Sequence, residues 1–386
     1  MAMKGMEPKL RVGVLFGGRS GEHEVSLMSA RSILAALDVN KYTVTQIGIT
    51  HDGAWLTGEN VLEAMLKAKT NELIGASFLP DPTHPGLYLI PQDTDDERFT
   101  HLVDLDVIFP VLHGTFGEDG TLQGFLEMAD LAYVGAGVLG SSLGMDKGVF
   151  KDVMHFHGIP ILDWTVTTRK QIERDVDAVV ERAMRVAPFP LFVKPANLGS
   201  SVGVSKCISR SDLMEGLFEA SRYDRRVIVE RGINAREIEV SVLGNEEPQA
   251  SIPGEIIPSR EFYSYEAKYV DDRSELLIPA PISAKLTQKV QELAMEAYKA
   301  IDCAGMARVD FLLEKTGPTG VEPGDLYLNE LNTIPGFTRI SMYPKLWEAS
   351  GLPYPTLVDR LIELALERKG ERDRTERRYL GGTQDG

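Results

Sequence analysis

The chain has 386 residues, more than one compact domain usually holds, because domains cluster near ~100–150 residues. With 43% hydrophobic and 25% charged residues, its composition is typical of a folded globular protein and excludes a largely disordered one. The formal net charge of −16 argues against nonspecific binding to nucleic acid, which requires a cationic face, but it is compatible with a local basic pocket for a small anion.

The first elements along the chain predict a parallel sheet covered by helices. Residues 11–18 are a short apolar run closed by two glycines, which predicts a buried strand. Ser26 is expected to cap a helix with an apolar stripe, and residues 42–50 alternate like a second strand. Another apolar run, residues 106–112, leads into His113. This order is typical of α/β domains.

The elements that follow are predicted to be antiparallel strands and helices. One helix is expected from Asp146 to about His157, and a longer one begins after the cap residue Ser283. The last amphipathic helix is predicted at 356–367, and the charged residues behind it are expected to fray. Strands are predicted at residues 191–194, 204–208, 226–230, 307–313 and 326–332.

This pattern divides the chain into three expected domains. Residues 52–100, with frequent prolines and a mostly acidic stretch, are interpreted as an elaboration of the first domain. The expected boundaries are 1–135 for the N-terminal α/β domain, 136–231 for a central unit, 232–368 for a C-terminal unit and 369–386 for a charged tail.

One glycine pattern points to a different function. Gly135, Gly137 and Gly140 have the spacing of a dinucleotide-binding fingerprint. The helix that this fingerprint requires would begin with small polar residues around Ser141, which is poor helix chemistry. A nicotinamide site is therefore a weak interpretation.

A lysine and a glycine-serine loop predict a phosphate site. Lys194 ends a strand, and the loop 199–203 that follows offers backbone N–H groups that large side chains do not block. A Walker-type loop requires Gly-Lys at the start of a helix, and the chain contains no Gly-Lys pair. The loop joins two strands instead and would cover the phosphates. An ordinary hairpin loop is the alternative.

Two pairs of polar residues predict a site for a hard cation. Arg308 and Asp310 share one face of a strand, and Glu330 and Asn332 share one face of the next. If the two strands are adjacent, Asp310, Glu330 and Asn332 converge. Three oxygen ligands without sulfur or imidazole favour Mg²⁺ bound with ATP phosphates.

Two glutamates are candidates for nucleoside recognition. Glu230 follows a hydrophobic strand and could accept a hydrogen bond from an adenine amino group, while Glu237 could bind ribose hydroxyls. Solvated surface charges are the alternative for both residues.

The chain is expected to be cytoplasmic. No apolar stretch approaches the ~18 residues of a membrane span, and the first ten residues lack the apolar core of a secretion signal. Cys207 and Cys303 are too few for a disulfide framework in a chain of this length, which indicates a reducing compartment.

The order of these motifs resembles the D-alanine–D-alanine ligase family, which belongs to the wider ATP-grasp group. The resemblance covers roughly residues 11–368. The residues that carry it are Gly17, Gly18, Ser20, Glu22, His23, Glu24, Val25, Ser26, His113, Gly114, 117–120, Met145, Asp146, Lys147, the segment 192–206, Tyr263, Tyr265, Glu266, Lys268, Tyr269, Arg308, Asp310, Glu330, Asn332, Thr333, Pro335 and Gly336.

The resemblance implies an ATP-grasp fold, with ATP bound between the central and C-terminal antiparallel domains. It implies ATP-dependent joining of two D-alanines through an acyl phosphate, for peptidoglycan synthesis and hence cell wall and cell shape. The implied cofactors are ATP and two Mg²⁺ ions, which Mn²⁺ could replace. The implied partners are small molecules and a second copy of the chain in a homodimer, without nucleic acid or membrane.

The resemblance also assigns roles to individual residues. Glu22 would hold the ammonium group of the first D-alanine beside His113, and Ser200 and Tyr269 would fix Glu22 by hydrogen bonds. The carboxylate of the second D-alanine would be bound by Lys268, Ser341 and Met342, and the oxyanion would be stabilised by Arg308 and Gly336.

The resemblance assigns the ATP site as well. The phosphates would be bound by Lys147, Lys194, Gly199, Ser201, Val202 and Gly203, and the nucleoside by Glu230, Ile233 and Glu237. Mg²⁺ would be bound by Asp310, Glu330 and Asn332.

Two alternatives stay open on the sequence. One is a related ligase that uses D-lactate or D-serine as its second substrate, although residues 265–269 favour the dipeptide-forming type by resemblance. The other is a nucleotide-binding protein with this fold and no catalysis, for which an oxyanion site at Arg308 and Gly336 would have no use.

Overall fold

A computed structural model of the protein describes residues 8–91, 98–257, 275–316 and 322–377. The first of its sheets has a parallel core that continues into an antiparallel extension. The strands of this sheet are β1 (Leu10–Gly17), β2 (Tyr42–Ile49), β3 (Trp55–Thr57), β4 (Ile74–Phe78), β5 (Leu87–Leu89), β6 (Thr100–Val103) and β7 (Val107–Val111). β1 pairs in parallel with β2 and β7, whereas β3 to β6 add antiparallel strands beyond β2. The predicted first strands are confirmed, and residues 52–100 lengthen the sheet at one edge.

Helices cover this sheet and lead out of it. They are α1 (His23–Ala36), α2 (Val61–Leu66), α3 (Thr121–Met128) and α4 (Val138–Met145). β1 is apolar from Val12 onward because it lies between neighbouring strands in the sheet, where Val12, Val14 and Phe16 are fully buried.

The second sheet is antiparallel, in the order β10-β9-β11-β8. Its strands are β8 (Trp164–Thr168), β9 (Leu191–Pro195), β10 (Ser205–Cys207) and β11 (Arg226–Arg231), and the helices of this region are α5 (Lys147–Phe156), α6 (Arg169–Arg174), α7 (Val176–Ala183) and α8 (Arg210–Tyr223). Asp146 caps α5 by accepting from the N–H groups of Gly148 and Val149 at 3.1 and 3.0 Å. The predicted helix and strands are confirmed.

The third sheet is also antiparallel and contains the longest strands. Its strands are β12 (Ala235–Gly244), β13 (Gln249–Ala250), β14 (Gly254–Ile257), β15 (Glu275–Leu277), β16 (Gly305–Thr316) and β17 (Glu322–Asn332), and the helices of this region are α9 (Ala284–Ala300), α10 (Met342–Ala349) and α11 (Tyr354–Asp373). Ser283 caps α9 as predicted, since its hydroxyl accepts from the N–H of Leu286 at 3.2 Å.

The predicted cap at Ser26 is wrong. α1 begins three residues earlier, and Ser26 lies inside it with its side chain fully buried. Its hydroxyl donates to the carbonyl of Val111 and accepts from the N–H of Gly17 at 2.7 Å. Because two neighbouring strands end at this level, Ser26 satisfies backbone groups that their ladder leaves unpaired.

The poor helix chemistry around Ser141 does not prevent a helix, because α4 forms there. Its small residues allow close packing: a Cβ at Gly140 would lie 2.9 Å from the carbonyl oxygen of Asp302, and one at Gly144 would lie 3.1 Å from the side chain of Thr333. Tertiary packing therefore overrides the low helix propensity.

The last helix extends beyond its predicted end, and its charged end is tied down. α11 continues to Asp373, where Arg372 forms ion pairs with Glu127 and with Asp130. The guanidinium of Arg368 stacks on the ring of Tyr133 at 4.1 Å. The predicted fraying therefore does not apply to residues 368–373, which contact the N-terminal part of the chain.

α11 also completes the core of the first sheet. Leu357, Leu361 and Ile362 belong to the same buried cluster as Val12 and Val14. The last helix thus closes the N-terminal sheet, although Leu357 follows Val12 by more than three hundred residues in the sequence.

Cys207 and Cys303 are both buried and not bridged to each other, as expected from their number. Within the described residues, no helix combines the length and apolar composition that crossing a membrane requires.

Gly17 generates a test of the close approach of β1 to β2. It ends β1 at φ +92°, and a Cβ on it would lie 2.2 Å from the carbonyl oxygen of Ile49. We expect Gly17→Ala to lower the free energy of unfolding by about 2–4 kcal/mol, because left-handed backbone strain adds to a clash with backbone. Urea denaturation measures this change.

Gly21→Ala is the matched control in the same loop, since no atom lies within 4 Å of the Cβ position there. Equal stability of the two variants would contradict the close approach of β1 to β2 at Gly17.

Candidate active site

The polar residues singled out in the sequence meet in one cavity of about 1650 Å³. Its walls come from the second and third sheets, from α1 and from loops that follow strands of all three sheets. The predicted site residues that line it are Glu22, His113, Lys147, Lys194, Gly199, Ser200, Ser201, Glu230, Ile233, Glu237, Arg308, Asp310, Glu330, Asn332, Gly336, Ser341 and Met342.

A few predicted residues are not among them. Val202 and Gly203 belong to the same loop but do not line the cavity. Lys268 and Tyr269, with the rest of their motif, lie outside the described residues.

Glu22 occupies one end of the cavity, where the loop before α1 meets the loop after β9. The hydroxyl of Ser200 donates to one oxygen of Glu22. A Cβ at Gly114 or Gly199 would come within 2.7 or 2.9 Å of the other oxygen. The two glycines therefore allow backbone to approach a carboxylate from both sides, which leaves a compact anionic corner suited to an ammonium group.

The loop after β9 turns tightly through residues in the left-handed backbone region. Ser200 and Ser201 have φ of +53° and +58°, and Gly203 follows at +70°. A tight turn of small residues leaves backbone N–H groups that could face phosphate oxygens.

His113 lies beneath Glu22 and uses both ring nitrogens within the protein. Nδ1 is 2.9 Å from the carbonyl oxygen of Ile334 and therefore carries the proton, while Nε2 is 3.1 Å from the hydroxyl of Ser29. Burial lowers the pKa of His113 below its ordinary value. The ring is thus a neutral bridge between α1 and the loop after β17.

Glu118 adds a second carboxyl group to this end of the cavity. It accepts from the N–H of Gly114 at 2.8 Å. Burial and the nearby charge of Glu22 raise its pKa well above the usual range. Glu22 therefore has a carboxyl neighbour that favours its own protonated form.

Two lysines supply positive charge to the middle of the cavity. The ammonium of Lys147 donates to the carbonyl of Leu198 at 2.8 Å and lies 3.8 Å from Glu330. The ammonium of Lys194 lies 2.6 Å from Glu230. Both side chains are only 15–16% exposed, so their charges act in a poorly solvated space where they bind anions more strongly than in water.

The pairing of β16 with β17 brings four predicted residues together. Asp310 lies opposite Glu330, and Arg308 lies opposite Asn332. The guanidinium of Arg308 donates to both oxygens of Asp310, each at 2.7 Å, and the Asn332 amide donates to Asp310 at 3.0 Å. The adjacency of the two strands is therefore confirmed.

Arg308 has a further carboxylate partner. Glu239 on β12 is 4% exposed, and one of its oxygens lies 3.0 Å from Nε of Arg308. Burial would lower the pKa of Arg308, but the charges of Asp310 and Glu239 hold it well above its usual range. The guanidinium is thus held rigidly at the wall of the cavity.

The oxygen atoms of Asp310, Glu330 and Asn332 are of the types that a hard cation prefers. Two carboxylates and an amide converge on adjacent strands, without sulfur or imidazole. In the described residues no cluster of three His, Cys, Asp or Glu side chains has metal-binding geometry, and this set differs in that one member is an amide. Its chemistry fits Mg²⁺, which keeps waters and shares phosphate oxygens.

The crossing from β11 to β12 forms the opposite wall. Glu230 at the end of β11 is 2% exposed and lies between Lys194 and Lys151. Ile233 lies in the connection, and Glu237 follows on β12. These residues line a recess of the cavity that contains the buried carboxylate of Glu230.

The start of α10 faces the cavity beside Gly336. The hydroxyl of Ser341 accepts from the N–H of Thr338 at 3.1 Å, and Met342 begins the helix. A Cβ at Gly336 would lie 3.2 Å from the hydroxyl of Ser341. Backbone N–H groups and the positive end of the helix therefore converge where a small carboxylate could bind.

The charged residues at the site to which the sequence motifs assign no role include Glu118, Glu239 and Lys151. Glu239 follows Glu237 by two residues on one strand, the spacing that singled out Arg308 and Asp310. Lys151 follows Lys147 by four residues on one helix face. Both signals were therefore available, whereas the burial of Glu118 depends on tertiary packing.

Family models match most of the chain. The model described as D-ala D-ala ligase N-terminus matches residues 11–136. The model described as D-ala D-ala ligase C-terminus matches residues 153–363. A D-alanine–D-alanine ligase from Natranaerobius thermophilus is 49% identical over 368 residues, which cover 95% of this chain and 97% of the relative.

Solved structures are similar over the same length. The D-alanine–D-alanine ligase from Coxiella burnetii has a TM-score of 0.77 and 38% identity, covering 95% of this chain and 97% of that one. The VanG D-Ala:D-Ser ligase from Enterococcus faecalis has a TM-score of 0.80 and 34% identity, covering 93% of this chain and 100% of that one.

The buried His113 generates a pH prediction. Its folded-state pKa lies below the ordinary value of 6.5, so the unfolded chain binds more protons as pH falls below 6.5. Stability should therefore fall with pH from that point, by up to about 1.4 kcal/mol per pH unit from this residue. His113→Gln should remove this part of the slope in denaturation curves measured between pH 7 and pH 5.

His157→Gln, at an exposed position, is the control and should leave the slope unchanged. If His113→Gln and His157→Gln show the same pH dependence as the parent chain, His113 is not neutral in the folded state.

Proposed function

Because the chain belongs to the D-alanine–D-alanine ligase family, we propose that its cavity is the site where ATP activates one D-alanine for attack by another. The protein is an ATP-dependent, ADP-forming ligase with the ATP-grasp fold, and it joins two D-alanines for peptidoglycan synthesis. The observation that carries the site assignment is the convergence of Arg308, Asp310, Glu330 and Asn332 on paired strands beside Lys147.

In the first step, a carboxylate oxygen of the first D-alanine attacks the γ-phosphorus of ATP, and the bond to the ADP oxygen breaks. Glu22, held by Ser200, would bind the ammonium group and so point the carboxylate toward the phosphates. Lys147, Lys194 and the N–H groups of the loop after β9 would neutralise the charge on the transferred group. Phosphoryl transfer depends mainly on such positioning and charge neutralisation.

Mg²⁺ would be held by Asp310, Glu330 and Asn332, where it supplies positive charge to the β- and γ-phosphates. Asp310 is hydrogen-bonded to both Arg308 and Asn332, so the ligand oxygens are already oriented by neighbouring side chains. The all-oxygen donor set supports this proposal.

In the second step, the amine of the second D-alanine attacks the acyl phosphate, the carbon–oxygen bond to phosphate breaks, and the amine loses a proton. Arg308 and the N–H of Gly336 would stabilise the oxyanion that forms. Ser341 and the N–H of Met342 at the start of α10 would receive the carboxylate of this substrate, together with Lys268, which lies outside the described residues.

The nucleoside would occupy the recess between β11 and β12. Glu230 would accept from the adenine amino group, Ile233 would contact the ring, and Glu237 would bind the ribose hydroxyls. The burial of Glu230 at the end of this recess supports its assignment to the base rather than to the phosphates.

The three-domain division, the homodimer and the cytoplasmic location stay predictions from the sequence. Light scattering after size exclusion measures the number of chains and so tests the homodimer.

α11 packs against both the first and the third sheet. We therefore propose that the N-terminal and C-terminal units move little relative to each other.

The acceptor is the property that an assay must settle. With ATP, Mg²⁺ and millimolar D-alanine, the purified chain should release phosphate and form D-alanyl-D-alanine. D-Serine is tested as a competing acceptor because a structurally similar protein is a D-Ala:D-Ser ligase. D-Lactate is tested as an acceptor that offers a hydroxyl group instead of an amine. We expect D-alanine to be preferred at neutral pH, as measured by competition and mass spectrometry of the products.

If D-serine or D-lactate is incorporated in preference to D-alanine, the proposed second substrate is wrong, while the proposed nucleotide site is unaffected. ATP binding without any phosphate release that depends on an acceptor would make the chain a nucleotide binder.

The role of Arg308 generates a separate prediction. Arg308→Met should lower kcat by about 10²–10³-fold, since it removes a donor to the oxyanion, and should change the KM for ATP much less. Steady-state kinetics measure both constants. Arg210→Met, which removes an exposed arginine of α8, is the matched control and should keep the parent kcat. A change in KM alone in Arg308→Met would place this residue in substrate binding instead.

A further inference from the structure

Lys151 is a buried charge that the proposed reaction does not yet use. It lies on α5, its side chain is 1% exposed, and it does not line the cavity. Its ammonium lies 3.3 Å from one oxygen of Glu230 and makes no aligned hydrogen bond within the described part of the chain. Burying an ammonium group away from water destabilises a protein unless an opposite charge lies beside it.

The other oxygen of Glu230 is bound to a second lysine. The ammonium of Lys194 lies 2.6 Å from it, on the side of Glu230 that faces the cavity. One carboxylate therefore serves two ammonium groups, of which one is enclosed and the other can reach a ligand. Burial would raise the pKa of Glu230, but the charges of Lys151 and Lys194 lower it to about 2.

The proposed binding of ATP would separate Lys194 from Glu230. Lys194 is required at the phosphates of ATP, and Glu230 is required at the adenine amino group. If Lys194 moves toward phosphate, Glu230 loses its closest positive partner while it stays 2% exposed. A buried carboxylate without a counter-charge would take up a proton.

We propose that Lys151 is a positioning residue that keeps Glu230 ionised when Lys194 turns to the phosphates of ATP. Because its side chain is buried, Lys151 cannot follow Lys194 to the ligand, and it stays beside Glu230. This inference rests on the proposed nucleotide site, and it adds a residue that acts on the ligand through Glu230 alone.

The ionised state of Glu230 determines which base fits. A carboxylate only accepts hydrogen bonds, so it pairs with the exocyclic amine of adenine. Hypoxanthine carries a carbonyl oxygen at that position, which a carboxylate repels and a neutral carboxylic acid can bind as a donor. Lys151 therefore determines the preference for an amino purine over a keto purine.

The experiment compares the binding of ADP and of inosine diphosphate by calorimetry, which requires no ligation. Lys151→Met removes the charge and keeps an apolar side chain of similar length. We expect it to weaken ADP binding more than inosine diphosphate binding, so that the ratio of the two affinities falls about tenfold or more. Lys285→Met, at an exposed lysine of α9, is the control and should keep the parent ratio.

An unchanged ratio in a folded Lys151→Met chain, or an equal loss for both nucleotides, overturns the proposal and leaves Lys151 a structural residue. If Lys151→Met does not fold, the double variant Lys151→Met/Glu230→Gln is compared with Glu230→Gln. Equal ratios in these two variants support action through Glu230, and a further fall in the double variant overturns it.

The controls separate this inference from the proposed function. A parent chain that binds ADP no better than inosine diphosphate refutes the assignment of Glu230 to adenine. A parent chain that discriminates the nucleotides but forms no dipeptide refutes the site's proposed reaction, and the Lys151 comparison is still decisive.

Discussion

The antiparallel pairing of β16 with β17 is the constraint on which the rest of the site depends. Its register places Asp310 opposite Glu330 and Arg308 opposite Asn332. Since strand side chains alternate between faces, a slip of either strand by one residue would turn its two polar residues into the apolar core and bring Val309 or Leu331 into the cavity. The apolar partners are 0–2% exposed, so core packing maintains the register and thereby the position of the catalytic groups.

A second constraint is the balance of charge in a poorly solvated cavity. Three cations predicted for the site each have a carboxylate nearby: Lys147 lies near Glu330, Lys194 near Glu230, and Arg308 near both Asp310 and Glu239. These pairs keep the site folded and oriented before an anionic ligand binds. Binding of phosphates would then exchange partners rather than create charges, which limits the reorganisation that the reaction requires.

The arrangement of the chain explains how distant segments hold one cavity together. α11 packs its apolar face into the core of the first sheet, and its charged end pairs with Glu127 and Asp130. His113, at the end of β7, reaches the carbonyl of Ile334 in the loop that follows β17. The corner at Glu22 and the loop at Gly336, where we propose that the oxyanion forms, are thereby connected by buried contacts. This rigidity is what a reaction between two small, precisely oriented substrates requires.

The main strands, the capped helices at Asp146 and Ser283, and the paired polar residues on β16 and β17 could all be predicted from the sequence. Those features depend on local periodicity and capping, which neighbouring residues encode. Tertiary structure alone decided that Ser26 bridges two strands, that the glycine-rich α4 is helical and that the charged end of α11 is held. It also decided that Lys151 shares Glu230 with Lys194. Each of these depends on a partner far away in the chain, and a pattern of neighbouring residues contains no information about which distant group a buried side chain will meet.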